Sequence, residues 1–209
     1  ALYSNWGGCH NTAIGYESLL SNTTGAYNTA IGYESLLSNT TGMDNNALGR
    51  CALRGNTTGC YNTALGYRAL YTSLSGCDNF AVGRSALYSN WGGCHNAAIG
   101  CGALCGNTTG NFNTAIGLGA LKESLSGDHN FAAGECALHS NWGGCHNAAL
   151  GSGALKCNTT GNFNTAIGPA SLNKNTTGCY NNAIGGYALE SNTTGESNTA
   201  LGYASLYKN

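Results

Sequence analysis

The chain has 209 residues, only 8% of them charged, with eight Lys and Arg against nine Asp and Glu and a formal net charge of −1. It has no basic stripe for nucleic acid, no charge run, and no apolar stretch near the ~18 residues of a membrane-spanning helix. Neither nucleic-acid binding nor membrane insertion is therefore expected.

From residue 1 onward one pattern returns every 17 residues, Ala-Leu-x-x-Asn-Thr-Thr-Gly-x-x-Asn-Thr-Ala-Ile-Gly-x-x. We number positions within this unit 1 to 17, so that Leu2, Gly8, Asn11, Ala13 and Gly15 head the columns at positions 2, 8, 11, 13 and 15. Neither Gly column suffers an insertion or deletion, and both run to the last unit, at Gly195 and Gly202. A fixed short period marks a solenoid, whose units bury a face only by stacking on one another. Helical repeats need about 30 or more residues per unit, so 17 fits one turn of a β-solenoid. The fold expected is all-β: a parallel β-solenoid of about twelve coils, roughly 60 Å long at ~4.8 Å per coil.

Within each coil the order of elements is legible. Position 2, from Leu2 to Leu206, is expected to face inward, with small Ala or Ser beside it. Positions 12 to 14 read as a short strand, followed by a Gly corner. The apolar residues at position 14 are also expected inside: Ile14, Ile31, Leu48, Leu65, Val82, Ile99, Ile116, Ala133, Leu150, Ile167, Ile184 and Leu201. The two Gly columns mark corners of positive φ or close backbone approach. The unbroken Asn column at position 11 fits either an amide ladder between coils or a left-handed corner.

Departures along the chain carry the functional reading. Asn-Thr-Thr-Gly occurs at Asn22, Asn39, Asn56, Asn107, Asn158, Asn175 and Asn192. Each is an Asn-x-Thr sequon, so covalent glycans along one corner are expected; the alternative is plain corner chemistry. The chain opens with Asn5-Trp6-Gly7, and the sequon is also lost around Leu74, Trp91, Leu125 and Trp142. A large apolar residue stands at each loss, read as an assembly contact, with folding over the corner as the alternative. Cys60, Cys77 and Cys94 share one column on consecutive coils, within disulfide range of one another, and Cys101 and Cys105 flank a corner. With eleven cysteines in all, these five are the disulfide candidates, and the odd total leaves at least one free or intermolecular thiol. Cys-His pairs at Cys9-His10, Cys94-His95 and Cys145-His146 read as surface variation rather than metal ligands. No Ser/His/Asp constellation recurs and no cofactor motif stands out, so the chain reads as a non-enzyme.

The Asn-Thr-Ala-Ile-Gly core followed by Ser-Leu or Ala-Leu, as in Asn28 to Leu36 and Asn62 to Leu70, resembles the head repeats of YadA-like trimeric autotransporter adhesins. It is similar also to phage tail-fibre repeats. That resemblance implies a parallel β-roll, often trimeric, used for surface attachment. This unit is longer than the usual head repeat and richer in cysteine. The expectation is one array from residue 1 to 209, a segment of a longer chain or a filament subunit. It would serve as an extracellular structural protein that partners itself, with an adhesin head as the alternative.

Overall fold

The computed structural model describes residues 1–209 and is a parallel β-solenoid. Each coil contributes one three-residue strand, from β1 (Thr12–Ile14) to β12 (Thr199–Leu201). The twelve strands form one sheet in chain order, and Ala13 pairs with Ala30, Ala30 with Ala47, without a slip of register as far as Ala200. Coil-to-coil bonding continues outside the strands. Of 138 backbone hydrogen bonds only 22 lie within the strands, and most of the others still join adjacent coils. The Leu36 N–H donates to the Ala52 carbonyl at 3.0 Å, and the Thr40 N–H to the Thr57 carbonyl at 2.9 Å.

The strands stop at position 15 because the chain turns there through a backbone open to glycine. Gly117 has φ +127°, and a Cβ on it would lie 2.7 Å from the Gly134 carbonyl oxygen. Only a residue without a side chain lets the coils stack that closely.

The core is thin. Leu19, Leu36 and each later Leu of position 2 as far as Leu189 are fully buried. Burying such a side chain is worth about 2 kcal/mol, which offsets the left-handed φ of 48–51° at which the column sits. The Ala residues of positions 1 and 13 complete the same core. Where position 1 is Ser, the hydroxyl is satisfied by the Gly carbonyl three residues earlier, as in Ser18 to Gly15 at 3.1 Å.

Position 14 corrects the sequence reading: it faces out. Ile14 is 59% exposed, Leu48 48% and Ile184 43%. Side chains alternate along a strand, so one of positions 13 and 14 must point outward. Leu from the opposite wall already fills the interior, and the space left takes only Ala.

Candidate functional site

Two amide ladders line the corner between positions 5 and 11, the one at position 11 along the whole rod and the one at position 5 in segments. At position 11 the Asn28 Oδ1 accepts the Asn45 backbone N–H at 3.0 Å and the Asn45 Nδ2–H at 3.1 Å. Asn45 Nδ2 also donates to the Gly59 carbonyl of the following coil at 2.8 Å. None of these Asn residues has positive φ, so the ladder is what the column is for, not a left-handed turn. At position 5 the Asn56 Nδ2 donates to Asn39 Oδ1 at 2.8 Å and to its own Gly59 carbonyl at 3.0 Å.

That second ladder consists of the sequon residues, and it encloses the side chains a glycan would need. Asn22, Asn39, Asn56, Asn107, Asn158 and Asn175 are fully buried and Asn192 is 2% exposed. A glycan would replace an Nδ2 hydrogen already donated and would have to leave through the core. The recurrence of Asn-Thr-Thr-Gly is explained by bonding: Asn builds the ladder, and the Thr hydroxyl caps a carbonyl one coil on, as in Thr40 Oγ1 to Thr57 O at 3.0 Å.

Outside this corner stand Trp6, Leu74, Trp91, Leu125 and Trp142, at 88%, 47%, 56%, 46% and 54% exposure. They leave the backbone ladder intact: the Leu74 N–H donates to the Trp91 carbonyl at 3.2 Å. The ladder inside is broken at the Leu coils, where Ser73 and Ser124 replace Asn. Asn56 Oδ1, Ser73 Oγ, Asn107 Oδ1 and Ser124 Oγ are there buried without a partner.

All eleven cysteines are free thiols, including the five disulfide candidates Cys60, Cys77, Cys94, Cys101 and Cys105. The stacked trio is occupied otherwise. The Cys60 backbone N–H donates to Cys77 Sγ and the Cys77 N–H to Cys94 Sγ, both at 3.2 Å. Asn111 and Asp128 do the same task with oxygen: Cys94 N–H to Asn111 Oδ1 at 2.9 Å, and Asn111 N–H to Asp128 Oδ1 at 2.6 Å. Position 9 is thus an acceptor column in which Cys, Asn and Asp interchange, a role that the Cys count concealed.

Position 10 carries a run of stacked rings: His95, Phe112, His129, His146, Phe163 and Tyr180, with neighbouring centroids 4.8–5.2 Å apart. At position 16 Tyr16 stacks on Tyr33, and the Arg50 guanidinium lies between the Tyr33 and Tyr67 rings, 5.6 and 5.7 Å from their centroids. A groove of about 480 Å³ opens beside it, where Gly102 and Gly119 leave room among Arg84, Cys101, Cys105, Lys122, Cys136 and His139. Arg84 donates to Cys101 Sγ at 3.3 Å. Burial pushes the Cys105 thiol up and the His139 imidazole down. A raised thiol is a weaker nucleophile.

The outer face of the sheet is made of positions 12 and 14: position 14 is apolar in every coil, and position 12 is Thr or Asn except at Phe80, Ala97, Phe131 and Ala148. Phe80 and Phe131 add 43% exposed rings to the Ile and Leu column. Soluble monomers rarely expose apolar patches beyond a few hundred Å². No family model, curated protein or solved structure matches this chain.

Proposed function

We propose that the chain is a structural rod, part of an extracellular fibre or surface appendage that assembles from copies of itself. The observation that carries this reading is the outward-facing apolar column of position 14, which runs from Ile14 to Leu201 along a solenoid of uniform coils. Such a face needs a cover of the same length, and another rod has that length. The exposed Trp6, Leu74, Trp91, Leu125 and Trp142 sit outside a different corner and supply a second contact, one that joins rods already associated. The likeness of the repeat to adhesin heads and tail fibres supports a place outside the cell.

Electron microscopy of the purified chain tests the reading. Rods of uniform width that gather into filaments are expected, and Trp91→Ala with Trp142→Ala should thin the filaments while the β circular-dichroism signal stays. Separate heads that bind a matrix and never gather would favour an adhesin instead. Bundles unchanged by the double substitution would remove the Trp corner from the assembly.

A further inference from the structure

We propose that the outer face of the sheet packs against the same face of a second copy of this chain, with the two rods parallel and level, coil for coil. The inference rests on self-assembly as the role of the rod and names the surface and orientation that carry it.

The extent of the face is right for such a contact. Twelve strands at ~4.8 Å spacing give a length of roughly 53 Å, and positions 10 to 16 span about 20 Å at ~3.3 Å per residue. Their product is about 1,000 Å², against ~800 Å² per partner in a standard stable interface.

Charge selects the orientation. Positions 10 and 16 stand at the two margins of the face, one residue outside the buried Asn and the corner Gly that flank each strand. Position 16 holds three charged residues, Arg50, Arg84 and Glu135. Position 10 of the same three coils holds Asp44, Asp78 and His129, two carboxylates opposite arginines and an imidazole opposite a carboxylate. Inside one chain these partners cannot meet, because the strand separates them by roughly 20 Å. The ion pairs within the chain are elsewhere, at Arg54–Glu34, His139–Glu123 and Lys174–Glu190. A symmetry axis parallel to the rods exchanges the two margins and keeps each coil level with its equivalent. Asp44 then faces Arg50 of the second copy, Asp78 faces Arg84, and His129 faces Glu135. An antiparallel arrangement instead lays position 10 on position 10. Centred on the coil between β3 (Asn46–Leu48) and β5 (Phe80–Val82), it sets Arg50 against Arg84 and Asp44 against Asp78. Like charges opposed in this way reject the wrong partner geometry.

Side-chain volume agrees independently. The same axis sets position 12 of one copy against position 14 of the other. Phe occupies position 12 in two coils only, at Phe80 and Phe131, and those coils carry the only residues smaller than Leu or Ile at position 14, Val82 and Ala133. A bulky ring therefore meets a reduced side chain, and the gap between two faces stays even along the rod.

Sedimentation of the full chain tests the proposal. The wild type should associate through paired rods, and D44R/D78R should weaken that association about a hundredfold or more. The fourfold exchange D44R/D78R/R50D/R84D should restore it. So should an equal mixture of D44R/D78R and R50D/R84D, which keeps a test open if the fourfold variant folds poorly. Circular dichroism confirms that each variant retains the coil. A D44R/D78R variant that associates like wild type, or folded exchanges that recover nothing, would overturn the proposal. Microscopy of the same samples separates this from the fibre reading. Filaments that persist in D44R/D78R remove this interface and leave the structural role standing; paired rods that never form filaments do the reverse.

Discussion

Asn39 donates from Nδ2 to the Oδ1 of Asn22, 2.8 Å away on the preceding coil, and both side chains are fully buried. This bond ties up inside the rod the same amides that a sugar would need. Asn39→Ala removes it along with the bonds to Gly42 O and from Asn56 Nδ2. Orphaning several buried polar groups should cost about 3 kcal/mol, read from the urea midpoint. Glycopeptide mass spectrometry should find all seven sequon peptides bare; a glycan at any of them in the folded protein would contradict the buried ladder.

The two breaks in that ladder run the other way. Ser73 and Ser124 leave unpartnered the Oδ1 atoms of Asn56 and Asn107. Ser73→Asn supplies an Nδ2 donor to Asn56 and an Oδ1 acceptor to Asn90, whose own Nδ2 reaches only Gly93 O at 2.8 Å. We expect a gain of about 1–2 kcal/mol for each of Ser73→Asn and Ser124→Asn. A fall in unfolding midpoint for either would mean that the site cannot admit the longer side chain.

Cysteine at position 9 is tested by the kind of residue that replaces it. Cys77→Asn keeps an acceptor for the Cys60 N–H and should be near neutral, since Asn111 and Asn162 already serve in this column. Cys77→Val removes the acceptor and should cost about 1 kcal/mol. If the two substitutions behave alike, the bond carries no weight. Burial pushes the Cys77 thiol up, so slow alkylation at neutral pH is also expected.

One half-buried ion pair sets a pH dependence. The hydrogen bond from Arg54 holds the Glu34 carboxyl below its usual range. A depressed carboxylate contributes stability that is present above its unfolded pKa, about 4.3, and is lost as pH falls through the lower folded value. Glu34→Gln should therefore flatten the acid limb of the stability curve. An unchanged acid limb would show that the pair is not held in solution.

The period, the parallel stack, the Leu core and the Gly corners were legible in the sequence, because each is a residue type repeated in one column and stacking admits only one answer for it. Three assignments were not. Ala13 and Ile14 are adjacent apolar columns, and composition favours the larger one for the core; only the opposite wall, already filled by Leu, decides that Ala goes in and Ile goes out. Asn22 and its equivalents satisfy a sequon written over three residues, but whether Nδ2 is free depends on a partner 17 residues away. Cys60, Cys77 and Cys94 stack as the spacing indicated, yet proximity alone does not distinguish a disulfide from a thiol that accepts a backbone N–H. The tertiary structure decided these points because each turns on what occupies the space across the coil, and a column of letters along the chain records what repeats without recording which side of the backbone faces that space.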